Sequence, residues 1–571
     1  MKKNFLIILI FALALVLRIY RLGEYPVGFL WDEAGLGYNA YSILKTGKDE
    51  YGHILPLIFK SFGDYKPGLY VYLTVPFVAI FGLNEFAVRL PSAIFGTLTI
   101  LVMYFLIKES LNRESTRIGL RINANSLALT ASLLLAISPW HLNFSRGAWE
   151  LNVMLFEFVL GIWLLIKFLN SEKNFFLYCE ATNLVYSSVF VFILSLFTYQ
   201  GTKLLLPLLL IGFIFFFRRE IKRIPLEPKI KFLAIILTGF LIFNLITFIG
   251  GKAGRLKVMS LFSYPRLVSE SKMILDQDSN NRFLFNLFHS SPVFFSRSFL
   301  GRYFNHFSGR FLFVEGDWSN PRNGTIYHGV LYFPDLLFML VGLGILFAKK
   351  RTPFENFILY WLMIGPLPAA LTRDSISSVR SFTMVIPLIF IISEGLAGFV
   401  NLLKKHSPIV RYSLFVVLTI LYCFVFVRFL DLYFIHDPKF SSKDRLYGYK
   451  QVIDFVIPLV SQKREVIFTN TYGQPYIFWL FYTKYDPSAY QKQAHLTENP
   501  YGDVGEVRYI DNLEFGKIYF PADRGLSNSL LIGDEFELPE KNITEDNQNF
   551  KFVKEIKFLN GKTAFRVVET K

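Results

Sequence analysis

Cysteine is nearly absent: 571 residues contain two, Cys179 and Cys423. They lie far apart, in or beside apolar runs, without metal-type spacing, which excludes a disulfide framework and a zinc site. The sequence has no Walker loop, no dinucleotide fingerprint, no His/Cys metal cluster and no Ser-His-Asp arrangement. Chemistry on this chain therefore needs no nucleotide held by such motifs. Internal repeats and low-complexity tracts are missing too. So is the polar average of a soluble protein. Hydrophobic residues make up 53%, aromatic residues 18%, and mean hydropathy is +0.39. A net charge of +16 would fit a nucleic-acid partner, but the basic residues cluster in short loops between apolar runs. That distribution is the positive-inside pattern of a membrane protein and not a recognition patch, so no nucleic acid is expected.

Apolar runs long enough to cross a bilayer recur at about 4–20, 69–82, 91–107, 124–139, 151–169, 184–200, 203–217, 232–250, 331–348, 356–371, 382–401 and 412–430. Many further spans follow the first, which reads as an uncleaved helix. "RREIKRIPLEPKIK" (218–231), "KKRTPFE" (349–355), "KKHSPIVR" (404–411) and the N-terminal "MKK" mark the inside face. The outside then carries 21–68, 140–150, the turn near 201, 251–330, 372–381 and everything after 431. One conflict stands: two crossings between 69 and 107 would put Arg113, Arg117 and Arg121 outside. The expected architecture is an α-helical polytopic membrane domain over 1–430 with about 11–13 transmembrane helices. A C-terminal extracytoplasmic α/β domain follows over 431–571. In that tail "YGYKQVIDFVIPLV" reads as a helix, and "REVIFTN", "VRYIDN", "KIYFP" and "LLIGDEFEL" read as strands. "FKFVKEIKFLNGKTAFRVVET" reads as a hairpin turning at Asn560-Gly561.

The loop 21–68 is too long to be a mere connector and too aromatic for disorder. Near its start it carries Trp31-Asp32-Glu33, close to where the chain first leaves the membrane. A carboxylate in that partly dry place can act as a general base, because desolvation raises its pKa. The plainer role is a cap on a helix starting near Ala34. Lys66 sits where the chain re-enters the membrane, and it either snorkels or meets an anion such as a lipid phosphate. Tyr65 beside it is a candidate substrate contact. In "SPWHLNFSRGAWELN", Arg146 and Glu150 are spaced to pair on a helix face. In "TRDSISSVRSFTMVIPL", Arg373 and Arg380 flanked by serines suit a phosphate. Asp317 and Arg322, in "EGDWSNPRN", are candidates to contact substrate or to pair with each other.

The order of "WDEAGLGYNAYSILKTGKDEYG", "GDYKPGLYVYL", "FGLNEFAVRLPSAIFG", "SRGAWELN", "FTYQGTKLLLP" and "EGDWSNPRN" resembles the polyprenyl-phosphate-dependent glycosyltransferases of the GT-C fold. These include the aminoarabinose transferases and the protein O-mannosyltransferases. The similarity covers roughly residues 1–400 and is densest over 29–96. It implies a membrane enzyme of the plasma (cytoplasmic) membrane. Such an enzyme moves a sugar from a polyprenyl-phosphate carrier to an acceptor hydroxyl on protein, lipid or glycan, at the outer face, usually with inversion. The acidic pair corresponds to Asp32 and Glu33, with the base role on Asp32. Lys66 corresponds to a lysine that contacts the donor phosphate, and Arg380 to an arginine near it, although Ser381 replaces the usual tyrosine. Arg146 joins the candidate phosphate-binding set; Glu150 is a loose match to an acid after the "SR" turn. The residues are consistent with this chemistry. A base takes the acceptor proton, positioned cations stabilise the leaving phosphate, and no cofactor is called for, metal being optional. A lipid-linked glycan transporter or flippase is the alternative. It predicts charges at mid-span and a repeat between halves, whereas here the charges sit at span ends.

Overall fold

The computed structural model describes residues 2–112, 123–171, 178–249, 259–403, 407–497 and 505–571. Arg113, Arg117 and Arg121, on which the crossing conflict rests, lie outside the described residues. The apolar runs fold as helices: α1 (Lys2–Ile19), α2 (Trp31–Thr46), α3 (Leu69–Phe81), α4 (Glu85–Asn112), α5 (Ala124–Ile137), α6 (Pro139–Ser145) and α7 (Glu150–Ser171), with further helices to Asp431. Among the described residues five helices are long and apolar enough to cross a membrane. A sixth candidate is the α5–α6 pair, and five shorter apolar helices accompany them. Between α5 and α6 the axis bends by 58°, at Ser138-Pro139, because a residue before proline is pushed out of the helical region. The stretch expected as a turn at 140–150 is therefore a short helix followed by a loop over 146–149.

Packing divides the chain into two compact units. One, the helical unit, comprises Met1–Ala14, Leu98–Asn143 and Met154–Val427; the other, the mixed unit, comprises Leu15–Thr97, Phe144–Val153 and Arg428–Lys571. The stretch 431–571 thus shares a core with the first long loop, and a boundary at 430 passes close to the edge of one of three joined pieces. In the helical unit the helices Asp335–Ala348 and Val385–Leu403 meet backbone to backbone. A Cβ on Gly342 would lie 2.0 Å from the Ile391 carbonyl oxygen, and one on Gly395 would lie 1.8 Å from that of Phe338. Small residues at such a crossing are how helices approach closely in lipid.

In the mixed unit, α2 starts at Trp31, not near Ala34, and ends at Gly47, whose N–H bonds the Ile43 carbonyl from the left-handed conformation. The strands β1 (Ile58–Ser61) and β2 (Asp64–Pro67) pair antiparallel, Phe59 facing Lys66 and Ser61 facing Asp64. Phe62 and Gly63 turn this hairpin with φ of 55° and 83°, the positive pair of a tight twisted turn. The C-terminal strands are β3 (Glu465–Phe468), β4 (Leu496–Thr497), β5 (Glu506–Val507), β6 (Tyr509–Ile510), β7 (Leu513–Phe515), β8 (Ser529–Gly533), β9 (Phe550–Lys557) and β10 (Thr563–Thr570). Six of them form one sheet in the order β6-β7-β3-β8-β10-β9, with β3 parallel to both β7 and β8. β8, parallel to β3 and antiparallel to β10, is buried at every residue, as a central strand covered on both faces requires. The β9–β10 hairpin turns at Asn560-Gly561 as expected, Gly561 at φ 86°. "KIYFP" is not a strand. Pro521 cannot donate to a ladder, and Phe520–Asp523 forms a helical turn whose entry is held by the Tyr519 N–H on the Asp523 carboxylate at 2.7 Å.

One apolar core joins α2, α3, the helix Tyr449–Val460, the helix Pro475–Tyr482 and the sheet. Phe29 packs 4.8 Å from Phe481, and the Tyr38 hydroxyl donates to the Tyr485 carbonyl at 3.2 Å. The Gln491 amide donates to Ser42, Thr46 and the Asp49 carbonyl. These contacts clamp α2, and with it the acidic pair, against the C-terminal helices Pro475–Tyr482 and Pro487–Gln493.

Candidate active site

Consecutive residues on a helix point about 100° apart, so Asp32 and Glu33 at the start of α2 meet different surroundings. Glu33 is buried, and each of its oxygens is used twice. Oε1 accepts from Arg89 Nε and from the Ala148 N–H, both at 2.9 Å. Oε2 accepts from Arg89 Nη2 and from the Leu30 N–H, both at 3.1 Å. Arg89 is equally committed. Its remaining donors reach the carbonyls of Leu22 (3.2 Å), Pro26 (3.0 Å) and Gly28 (2.7 Å), and its guanidinium lies over the Phe29 ring. Glu33 thereby ties together α2, α4, the 22–30 segment and the 146–149 loop. Such a saturated carboxylate holds structure and has no lone pair left for a proton in transit. Sequence reasoning gave Glu33 a cap role or a catalytic one. It does accept the Leu30 N–H in the manner of a residue in the first helical turn, but its principal partner, Arg89, was not singled out. Arg89 sits 56 positions away at an ordinary helical position, and no local pattern marks it.

Asp32 turns the other way. It is ion-paired with the Lys66 ammonium, with 39% of the Asp32 side chain and 15% of the Lys66 side chain exposed. Lys66 is carried by β2, lies 5.5 Å from the Phe62 ring centroid, and belongs to a hairpin, not to the end of a membrane helix. Tyr65 precedes it in β2, opposite Lys60. Asp32 and Lys66 are thus brought together from opposite ends of the first loop, an acid and a base in contact, partly open to the surface. Two other expected site residues share this unit. Arg146 is fully buried, and its donors go to the Tyr433 hydroxyl (3.1 Å) and the carbonyls of Leu17 (2.6 Å), Tyr20 (2.7 Å) and Tyr25 (3.2 Å). Those bonds give it the task of closing the 17–25 turn. Glu150 begins α7 while Arg146 lies in the preceding loop, so the two do not share a helix face as their spacing led us to expect.

The remaining expected residues belong to the helical unit. Arg380 donates through Nη1 to the Asp374 carboxylate and to Thr372 Oγ1 (3.1 Å). The loop that carries it, 372–381, is held from beneath. Asp317 Oδ2 accepts from the Ser378 N–H (2.8 Å), the Ser378 hydroxyl (3.0 Å) and the Asn323 amide (3.3 Å), and Oδ1 accepts from the Asn320 N–H (3.1 Å). Burial raises the Asp317 pKa above its ordinary value, with the Ser378 bonds acting in the opposite sense. His306 supports the same loop: Nδ1 donates to the Arg302 carbonyl (2.8 Å) and Nε2 accepts from the Ser377 N–H (3.2 Å). Burial pushes its ring down to about 4, so it is neutral. Arg322 lies in the 3₁₀ turn Pro321–Asn323 of that unit. His306 was not anticipated; a lone histidine in an aromatic stretch carries no motif.

No family model matches the sequence, and no curated protein matches it. Among solved structures the chain is similar to ArnT from Cupriavidus metallidurans bound to undecaprenyl phosphate, with 13% identity over 99% of this chain and 97% of that one and a TM-score of 0.52. The apo form of that protein gives 12% identity, 100% and 98% coverage and a TM-score of 0.51. It is also similar to the archaeal oligosaccharyltransferase AglB from Archaeoglobus fulgidus in complex with an inhibitory peptide and a dolichol-phosphate, with 14% identity over 79% of this chain and a TM-score of 0.46. The chain spans 58% of the length of that oligosaccharyltransferase. The ArnT likeness runs over the whole of both chains. The fold is GT-C-like: an α-helical polytopic membrane protein with a sheet-containing C-terminal part.

Proposed function

We propose that this protein is a membrane glycosyltransferase that moves a sugar from a polyprenyl-phosphate carrier to an acceptor hydroxyl. The observation that carries this reading is the Asp32–Lys66 pair, half-open beside the sealed Glu33–Arg89 pair. Undecaprenyl phosphate bound to the ArnT structure supports a carrier of that class. When the donor arrives, its phosphate takes over the Lys66 ammonium and releases the Asp32 carboxylate. The acceptor oxygen then attacks the anomeric carbon while Asp32 accepts its proton. The bond from that carbon to the phosphate oxygen breaks, the electron pair stays on the phosphate, and Lys66 balances the growing charge. Glu33, through its bonds to Leu30 and Ala148, fixes the start of α2 from which Asp32 projects. Arg380 is a second candidate cation for the phosphate, on the strength of the resemblance alone. The acceptor is a hydroxyl of a protein, lipid or glycan. The reading places the first loop and the C-terminal part on the extracytoplasmic side of the plasma membrane and calls for no cofactor.

The test is transfer from a panel of radiolabelled polyprenyl-phosphate sugars by membranes holding wild type or Asp32→Asn at matched expression. Transfer by wild type with a loss of about a hundredfold in the variant supports the base role. Equal transfer by both removes Asp32 from the chemistry. Absence of transfer from every donor, with the protein folded, removes the carrier class.

A further inference from the structure

Glu50 has no part in the mechanism above, yet it is fully buried in the same loop. It follows the end of α2, where the Lys48–Ile54 bridge and the Asp49 bonds to Tyr51 and His53 close a turn. Asn39 embraces it from two sides. Its Nδ2 donates to Glu50 Oε1 at 3.1 Å, and its Oδ1 accepts the Glu50 N–H at 3.0 Å. Asn39 stands seven residues after Asp32, two turns along the same face of α2. Glu50 Oε2 makes no hydrogen bond, with the Tyr476 hydroxyl beside it. The groups that act on Glu50 are Asn39, Asp49, Lys66 and Tyr476, and its charge in turn acts on Tyr38, Tyr51, Tyr476 and Tyr490. Lys66 is the one cation among them. The packing joins them: the Lys66 ammonium lies 5.5 Å from the Phe62 ring centroid, that ring meets the Tyr476 ring at 6.0 Å, and the Tyr476 hydroxyl lies 3.4 Å from that of Tyr51, the neighbour of Glu50. On its open side the same ammonium pairs with Asp32.

We propose that Glu50 is a positioning residue for Lys66, a buried carboxyl whose proton decides whether the ammonium is left to Asp32 and the donor phosphate or is drawn inward. Its effect on transfer rests on the function proposed above; its effect on Lys66 does not. Burial raises the carboxyl to about 8, Asp49 adding to this and Asn39, Lys66 and Tyr476 opposing it. Below that pH Glu50 is neutral and Lys66 serves the open side. Above it the ionised carboxylate competes, so Lys66 becomes a weaker phosphate ligand while holding its own proton more firmly.

The experiment is competitive acetylation of the purified full chain with acetic anhydride across pH, with the Lys66 peptide read by mass spectrometry. In Glu50→Gln the midpoint of Lys66 reactivity is expected to fall by about one pH unit, the usual scale for loss of a neighbouring charge. A midpoint equal to that of wild type overturns the proposal. Should Glu50→Gln fail to fold, Tyr476→Phe takes its place: it removes a hydroxyl that favours the ionised carboxyl, and the midpoint moves the same way by less. Undecaprenyl phosphate binding gives the second readout. Wild type is expected to lose several-fold in affinity between neutral and mildly alkaline pH, and Glu50→Gln to keep it; an identical loss in both overturns the proposal. A Lys66 shift without sugar transfer in wild type keeps this inference and sinks the function. Transfer with an unmoved Lys66 does the reverse.

Discussion

Two loops of the protein, one in each compact unit, place an acid against a base near the surface and a second acid in the interior behind it. In the mixed unit these are Asp32–Lys66 with Glu33; in the helical unit, Asp374–Arg380 with Asp317. The interior acids are secured differently. Glu33 faces a guanidinium, whereas the bonds to Asp317 come from the Ser378 hydroxyl, two backbone amides and a side-chain amide. A buried ion pair cannot lose one partner without stranding the other charge. A carboxylate held by neutral donors, and already raised in pKa by burial, is far less dependent on its charge. The open pairs, in turn, contribute little to stability and are available for other partners.

Substitutions can break this contrast or sharpen it. Glu33→Ala strands Arg89 and is expected to cost about 3–5 kcal/mol, seen as a large drop in Tm in detergent. A Tm within a degree or two of wild type would mean that Glu33 is no hub. Asp32→Asn is expected to cost about a hundredfold in transfer, near 2.7 kcal/mol at the transition state, with Tm almost unmoved; a matching collapse of the fold would erase the distinction between the two neighbours. His306 adds a pH arm to the helical unit. Its folded pKa lies below the ordinary 6.5, at about 4, so its contribution is complete above pH 6.5 and is lost as pH falls towards 4. The slope cannot exceed about 1.4 kcal/mol per pH unit. His306→Gln is expected to flatten that part of the Tm–pH curve, and an unchanged curve would place the titration elsewhere. Asp317→Asn is expected to cost only about 1 kcal/mol, the worth of a remade hydrogen bond. A cost equal to that of Glu33→Ala would show that the charge matters after all.

Much of the helical framework was legible in the sequence because crossing a bilayer leaves a coarse signature. The run expected at 151–169 is the helix Glu150–Ser171, and that at 69–82 is Leu69–Phe81. The β9–β10 hairpin announced itself through Asn560-Gly561. The β1–β2 hairpin did not, since Phe62 is a poor advertisement for a positive φ. Asp32 and Lys66 were each singled out, but their contact depends on that unannounced turn. Arg89 and Arg146 carry buried ionic and carbonyl contacts across 56 and more than a hundred positions, and no local periodicity encodes such a partner. The division at 430 followed a change of composition, whereas packing follows contact. The apolar face of α2 is completed by Phe478 and Phe481, more than 400 residues downstream.

That last feature has a temporal side. During synthesis the helix bearing Asp32 emerges early, and the strands and aromatic helices that cover it come after residue 428. At ribosomal speeds of about 5–20 residues per second, the 15–97 segment waits roughly 25–95 s for the last of its partners. Throughout that interval its apolar face has no permanent cover. A nascent chain of this design spends that period with the Asp32–Lys66 region lacking its C-terminal backing, which is complete only when the last strands arrive.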